Sequence, residues 1–366
     1  GFSLTLPMFT VAAIAVSVGL ITFPLRFIIG GAAIASLGAF FFNARRKHDD
    51  ARRDSIANAT FSSPRIIDLK RNLKALGRSL GDSPEVFMVS KPFAAIDFKD
   101  GQIQTGKTPS GTQAAISEKI AFRNKGLVIT APSNDFERSL ARDGKALRFG
   151  KDIWVVYVDI PQEEQFLFAD VFAEQTLWTL LLGLDAQGKK QPEDLVKRAY
   201  TAFQDANRRF AQATADLLPK NRRTKVLILD YSLNLVSSHL KTLNPNVLSQ
   251  QHTAMPWPDP KIFAGTLERE IAKDMLTKML DTDILGFQTQ EHSENFIRLV
   301  SELLPEAQVD MRAHTVTYAD RTVLVRDYPV SVDAKQIELA MQSKDTLDFI
   351  ARLKDIVAGR RVILRV

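Results

Sequence analysis

From Ser83 onward, short apolar runs alternate with segments of helical periodicity, and this alternation narrows the folds open to the chain. "VFMVS", "GLVITA", "IWVVYVDI", "KVLILD", "DILGF" and "RVILRV" are rich in β-branched residues and continuous in hydrophobicity, as strands buried on both faces are. Between them Leu195, Ala199, Phe203, Ala206, Phe210, Ala213 and Leu217 recur at spacings of three and four. They predict a long amphipathic helix, opened by Pro192 and closed by Pro219. Ile271, Met275 and Met279 form a second apolar stripe, and Phe296, Val300 and Leu303 a third. The expected class is α/β, with an open, mostly parallel sheet. Such sheets bind ligands outside the carboxyl ends of their strands.

Composition sets outer bounds. The 366 residues are enough for two or more units with their own cores, and 45% hydrophobic with 25% charged residues is ordinary for folded protein. Zero cysteines exclude disulfides and thiolate metal sites. The net charge of +6 comes partly from "ARRKHDDARR", and without an arginine-rich, aromatic-interleaved stripe nucleic acid is not an expected partner. Sequence inspection shows no metal-ligand cluster, so neither a metal nor another cofactor is expected.

Ahead of the sheet pattern lie two charge-free runs, Leu4 to Phe23 and Phe27 to Phe42, of twenty and sixteen residues. Their length predicts a transmembrane helical hairpin over residues 1–43. Gly30, Gly31, Ala32, Ala33, Ala35 and Ser36 would let its helices approach closely. Arg45, Arg46, Lys47, Arg52 and Arg53 then place the following chain in the cytoplasm, anchored to an inner or plasma membrane. Residues 44–82 read as a basic, polar, partly helical linker.

"GQIQTGKT", Gly101 to Thr108, fits the phosphate-binding pattern G-x-x-x-x-G-K-T, and "KVLILD" places Asp230 where a second acid would follow. A phosphate-cradling loop, however, needs a buried strand running into its first glycine and a helix starting at the lysine. "DFKD" ahead of Gly101 is charged, and "PSG" after Thr108 opens a helix poorly. The expectation is a loop lysine at Lys107, with a P-loop ATPase as a remote alternative.

A different set of segments, in order, carries a resemblance. "HTAMPWPDPKIF" is close to H-I-P-W-P-x-P-E-x-F with two extra residues after His252, and "DTDILGFQTQEHSENFI" follows at the right distance. "LDYSL", "FAEQTLW", "YTAFQDANRRFA" and "VLVRDYPVSVD" match further segments of the same family. The chain thus resembles the trehalose-6-phosphate synthase family, retaining glycosyltransferases of family 20 with two Rossmann-like halves in a GT-B fold. The resemblance runs from about Ser83 to Val366 and is strongest from Leu177 onward. It implies an acceptor-side Rossmann-like domain over 83–358 and the first strand of a donor-binding domain at 359–366.

What the resemblance implies for function is a hexosyltransferase moving glucose from a nucleotide-glucose donor, UDP-glucose first among them. The acceptor would be a sugar phosphate, glucose 6-phosphate or a related polyol phosphate, with retention of configuration. By position, Trp178 and Asp230 hold the acceptor, and His252 contacts the transferred sugar at the reacting centre. The residue types suit this: an indole face packs against sugar C–H groups, a carboxylate accepts paired hydrogen bonds from hydroxyls, and an imidazole donates one. Asp230 is read at the end of a strand and His252 just past the next one. Gly111 stays from a glycine loop whose first glycine is Ser110 here, and Lys91 is the cation nearest to the family's phosphate-gripping arginine. Catalytic roles fall on Asp230 and His252; acceptor binding falls on Trp178, Asp230, Gly111 and Lys91.

Departures accompany the match. Ala169 falls where the family has an acceptor-binding tyrosine, Glu174 replaces an asparagine, Leu182 a histidine, and Leu229 and Ser232 both histidines of H-D-Y-H. The implied alternative is a degenerate, membrane-anchored relative that binds a sugar phosphate or serves as a scaffold. The cations expected to grip the donor diphosphate belong to a motif beyond "VILRV", so these residues alone are expected not to turn over substrate. A homo-oligomer is left open.

Overall fold

The computed structural model describes residues 64–82, 84–90, 96–99, 102–105, 120, 125–150, 152–184, 191–329 and 334–358. In chain order the first strands are β1 (Arg65–Asp68), β2 (Glu85–Val89), β3 (Ile96–Lys99), β4 (Gln102–Thr105), β5 (Lys125–Thr130), β6 (Lys145–Phe149) and β7 (Asp152–Tyr157). They are followed by β8 (Thr224–Leu229), β9 (Val247–Thr253), β10 (Ile284–Phe287), β11 (Gln308–Asp310), β12 (Thr315–Tyr318) and β13 (Arg321–Asp327). All but β3 and β4 join one sheet, in the order β1-β6-β7-β5-β2-β8-β9-β10-β13-β12-β11.

Every pairing from β7 across to β13 is parallel. Antiparallel strands occupy both edges, β1 and β6 on one side and β12 and β11 on the other. Numbered among themselves, the parallel strands run 3-2-1-4-5-6-7, so the direction of winding reverses between β2 and β8. In open sheets of this kind that reversal opens a crevice at the carboxyl ends of the two strands.

The helices follow from the apolar stripes. On one face of the sheet pack α1 (Leu69–Leu80), α4 (Glu193–Ala215), α5 (Val236–Leu243), α7 (Arg269–Met279) and α8 (Gln290–Leu303). The predicted positions Ala199, Phe203, Ala206, Phe210, Ile271, Met275, Met279, Phe296, Val300 and Leu303 are all buried there. A second core on the opposite face gathers Phe87, Val128, Leu147, Phe149, Val155 and Tyr157 around α2 (Asp135–Arg142). Consecutive stretches Gln162–Gln165, Phe166–Trp178 and Thr179–Leu181 make one continuous helix, α3, wound through its middle as a π-helix. The remaining helices are α6 (Pro260–Thr266), α9 (Ala334–Met341) and α10 (Lys344–Val357).

Residues 65–80, inside the stretch that reads as a polar linker, supply β1 and α1. The helix hides only Leu76 and Leu80 and shows lysines and arginines elsewhere, which is why its sequence reads as a polar, partly helical linker rather than as part of the sheet domain. The hairpin expected over 1–43 lies outside the described residues, as does "RVILRV". Among the described residues no helix is long and apolar enough to cross a membrane. The fold class is therefore corrected to what the described residues show, an α/β sheet with no membrane-spanning helix among them, and the membrane-anchored location, which rested on the hairpin alone, is not carried forward.

The P-loop alternative fails on topology. β3 and β4 pair antiparallel, Ile96 with Thr105 and Lys99 with Gln102, in a two-stranded sheet of their own. Four residues of the G-x-x-x-x-G-K-T pattern thus form a strand paired back on its predecessor, where a phosphate loop needs converging backbone N–H groups. Lys107→Ala is accordingly expected to leave nucleotide affinity unchanged in a titration. A loss near tenfold, about 1.4 kcal/mol, would restore the ATPase reading.

Candidate active site

Asp230 and Ser90 leave the carboxyl ends of β8 and β2, the two strands that flank the reversal in winding. Although 140 residues apart, they meet: the Ser90 hydroxyl donates to the Asp230 carboxylate. The other carboxylate oxygen accepts from the Ser232 amide at 3.3 Å, capping the short helical turn Tyr231–Leu233. Asp230 holds φ 108° and ψ 142°, a conformation that costs of order 1–3 kcal/mol in a residue with a side chain. Neighbouring hydrogen bonds hold it there. Its amide donates to the His252 carbonyl at 3.2 Å, and its carbonyl accepts from the Gln251 side chain at 3.2 Å. Buried Asn207 of α4 fixes the following loop, donating to the Ser232 carbonyl at 3.0 Å and accepting from the Leu235 amide at 3.1 Å. Strain at a strand end facing a crevice is a signature of function rather than of folding.

His252 lies within β9, one residue earlier in the chain than its end, and not past the strand as its sequence suggests. It is 7% exposed, and burial lowers its pKa below the ordinary 6.5, favouring the neutral ring at pH 7. Its Nε2 is shielded from solvent and finds no partner among the described residues. Leaving such a group unsatisfied costs about 1–3 kcal/mol, which a ligand hydroxyl would recover. Gly286 sits opposite it on β10. A Cβ at this glycine would come within 3.1 Å of the His252 ring Nδ1 and 2.8 Å of the Tyr328 ring, so glycine is what lets the two rings share this corner.

Trp178 ends the π-helical part of α3, partly buried against the core. Glu174, four residues earlier and so on a neighbouring face, accepts a hydrogen bond from the Tyr231 hydroxyl. Burial first, and then the charges of Asp230 and Glu174, push the Tyr231 phenol well above its ordinary range. This contact ties α3 to the Asp230 loop. The structure therefore brings Asp230, His252, Ser90, Tyr231 and Glu174 into one neighbourhood, with Trp178 on the same helix as Glu174. Lys91 and Gly111 lie outside the described residues.

Of the departures from the resemblance, Leu229 joins the second core, and Ser232 is 4% exposed within the loop. Sequence reasoning did not single out Ser90, Tyr231 and Gly286, although Tyr231 lies within the recognised "LDYSL" and Gly286 within the apolar run "DILGF". Among the described residues there is no cluster of three acidic or histidine side chains able to hold a metal.

With the geometry in place, comparison decides the family. The profile of Glycosyltransferase family 20 matches residues 96–366, well over half of the chain. The chain belongs to glycosyltransferase family 20. It is similar to the trehalose-6-phosphate synthase of Mycolicibacterium vanbaalenii, at 24% identity over 292 residues, covering 75% of this chain and 55% of that protein. It is also similar to the validamine 7-phosphate valienyltransferase of Streptomyces hygroscopicus subsp. jinggangensis, at 24% identity, covering 67% of this chain and 51% of the relative. Among solved structures, the E. coli protein bound with UDP-2-fluoro glucose superposes with a TM-score of 0.56 at 18% identity, covering 74% of this chain and 54% of that one. That likeness shows the fold. The chain spans about half the length of the curated relatives it matches.

Proposed function

We propose that this family 20 chain forms the acceptor-side half of a retaining hexosyltransferase, which moves glucose from a nucleotide-glucose donor to a hydroxyl of a sugar or polyol. The observation that carries the reading is the meeting of Asp230 with Ser90 at the reversal point of the sheet, beside a buried His252 whose Nε2 awaits a partner. UDP-glucose is the first donor to test, by analogy with the E. coli protein bound with UDP-2-fluoro glucose. The phosphorylated acceptors implied by the family are the starting expectation.

In this reading Asp230 accepts a hydrogen bond from the acceptor, Trp178 offers its face to the sugar ring, and neutral His252 hydrogen-bonds the transferred glucose. Their contribution is positional and electrostatic: they hold two sugars in line while the diphosphate departs toward the donor-binding half. The test is to incubate the full-length gene product with UDP-, ADP-, GDP- and dTDP-glucose and a panel of sugars and sugar phosphates, following nucleotide release and the anomeric configuration of the product by NMR. An α-linked product from an α-linked donor supports the reading. Release of nucleotide without glycoside formation, or an inverted product, rejects it.

A further inference from the structure

A glutamine sits in the sheet where an apolar residue would pack. Gln251 lies within β9 and is fully buried, and at its level the flanking strands carry Ile228 on β8 and Leu285 on β10, both buried. Its amide nitrogen donates to the Asp230 carbonyl at 3.2 Å and to the side-chain oxygen of Asn234, itself fully buried. A carbonyl can only accept, so the amide nitrogen has to face Asp230, and Asn234 then has to present its oxygen. Asp230 and Asn234 flank the helical turn Tyr231–Leu233, so one side chain grips that turn at both ends. β9 holds Asp230 from a second direction as well, because the His252 carbonyl accepts from the Asp230 amide at 3.2 Å.

As hydrogen bonding, the grip is incomplete. The Gln251 Oε1 and the Asn234 Nδ2 are shielded from water, and neither has a partner among the described residues. Each such atom lowers the stability of the folded chain, and an apolar pair of the same shape would avoid both losses. Folding alone therefore favours an apolar pair here. What the amides supply instead is a donor aimed at the carbonyl of Asp230, the residue held at φ 108°.

We infer that Gln251 and Asn234 are positioning residues, buried at a cost to stability, which hold Asp230 in the backbone conformation that meets Ser90. This rests on the glycosyl-transfer reading for the use to which Asp230 is put, and not for the geometry. A purely structural account would make the same pair a tie within the core, whose removal loosens the fold.

The two accounts predict opposite stabilities. Gln251→Met keeps the length of its side chain and Asn234→Leu the shape of its own, and each alone strands the other residue's amide. Each single variant is therefore expected to melt below the wild type, and the double variant to recover to the wild-type midpoint or above it. Turnover should not recover with stability. In the full-length gene product, with whichever nucleotide-glucose supports transfer, the double variant is expected to lose about tenfold or more in kcat, with the KM for the donor unchanged. In an Asp230→Asn background the same two substitutions should add no further loss, since the group they position is gone. Crystal structures of the wild type and the double variant read the geometry itself: Asp230 is expected to leave its positive φ and to part from Ser90. A double variant that melts well below the wild type, or keeps full kcat, overturns the inference. So does an additive loss in the Asp230→Asn background, or an Asp230 that stays at positive φ without the pair. If the wild type glucosylates no acceptor, the transfer reading fails, and the inference is then decided by melting and by the Asp230 conformation. Recovered stability with a relaxed Asp230 upholds it, and any other pairing overturns it.

Discussion

Asp230→Asn and His252→Ala are each expected to lower turnover of the full-length enzyme on the order of a hundredfold or more, with far smaller effects on stability. Asparagine keeps the size of Asp230 and can still accept from the Ser232 amide, so the turn it caps should persist. What is lost is the charge that receives Ser90 and, in the proposed reaction, an acceptor hydroxyl. His252→Ala removes a buried ring whose Nε2 has no partner among the described residues, so no described hydrogen bond of that nitrogen goes with it. Turnover beside thermal melting reads both quantities. Full activity in Asp230→Asn, or early melting in both variants, would make these residues structural.

How much of this was visible in the sequence depended on the range of the interaction. β2, β5, β7, β8 and β10 are buried parallel strands whose continuous apolar runs announced them, whereas β9, equally central, carries the polar run "SQQHT". The strands toward the edges did not announce themselves. β13, parallel to β10 and antiparallel to β12, alternates buried and exposed positions, and the edge strands β1 and β11 bury almost nothing, because an antiparallel edge needs only one apolar face. β3 and β4 hid under a motif whose pattern was met without its topology. In the site, Asp230 and His252 were legible through motif spacing along the chain. Ser90 was not, because only the crossover from β2 to β8 brings it to Asp230. Of the departures, Leu229 joins the second core, Ser232 is buried and Glu174 accepts from the Tyr231 hydroxyl, placements that motif spacing alone does not show.

The two tryptophans of the recognised segments are expected to part company under substitution. Trp257, the aromatic of "PWP", is fully buried. It stacks on Phe263 at 5.4 Å and meets Phe287 and Phe296 edge-on at 5.5 and 5.3 Å. This cluster joins α6, β10 and α8, so the ring welds three elements behind the carboxyl end of the sheet. Trp257→Ala should cost about 3–5 kcal/mol, from lost burial and from a cavity that three rigid rings cannot collapse to fill. For a protein whose whole stability is of order 5–15 kcal/mol, that leaves little margin. Trp178 is only partly buried, at the end of the π-helical stretch that also carries Glu174. Trp178→Ala should cost about 1 kcal/mol of burial, well below the full-burial range, and raise the acceptor KM instead. Urea denaturation followed by circular dichroism gives the first quantity, and acceptor saturation curves give the second. A midpoint for Trp257→Ala within 1 kcal/mol of the wild type would show that the cluster relaxes around the gap. A larger stability loss for Trp178→Ala than for Trp257→Ala would exchange their roles and remove the indole from the acceptor site.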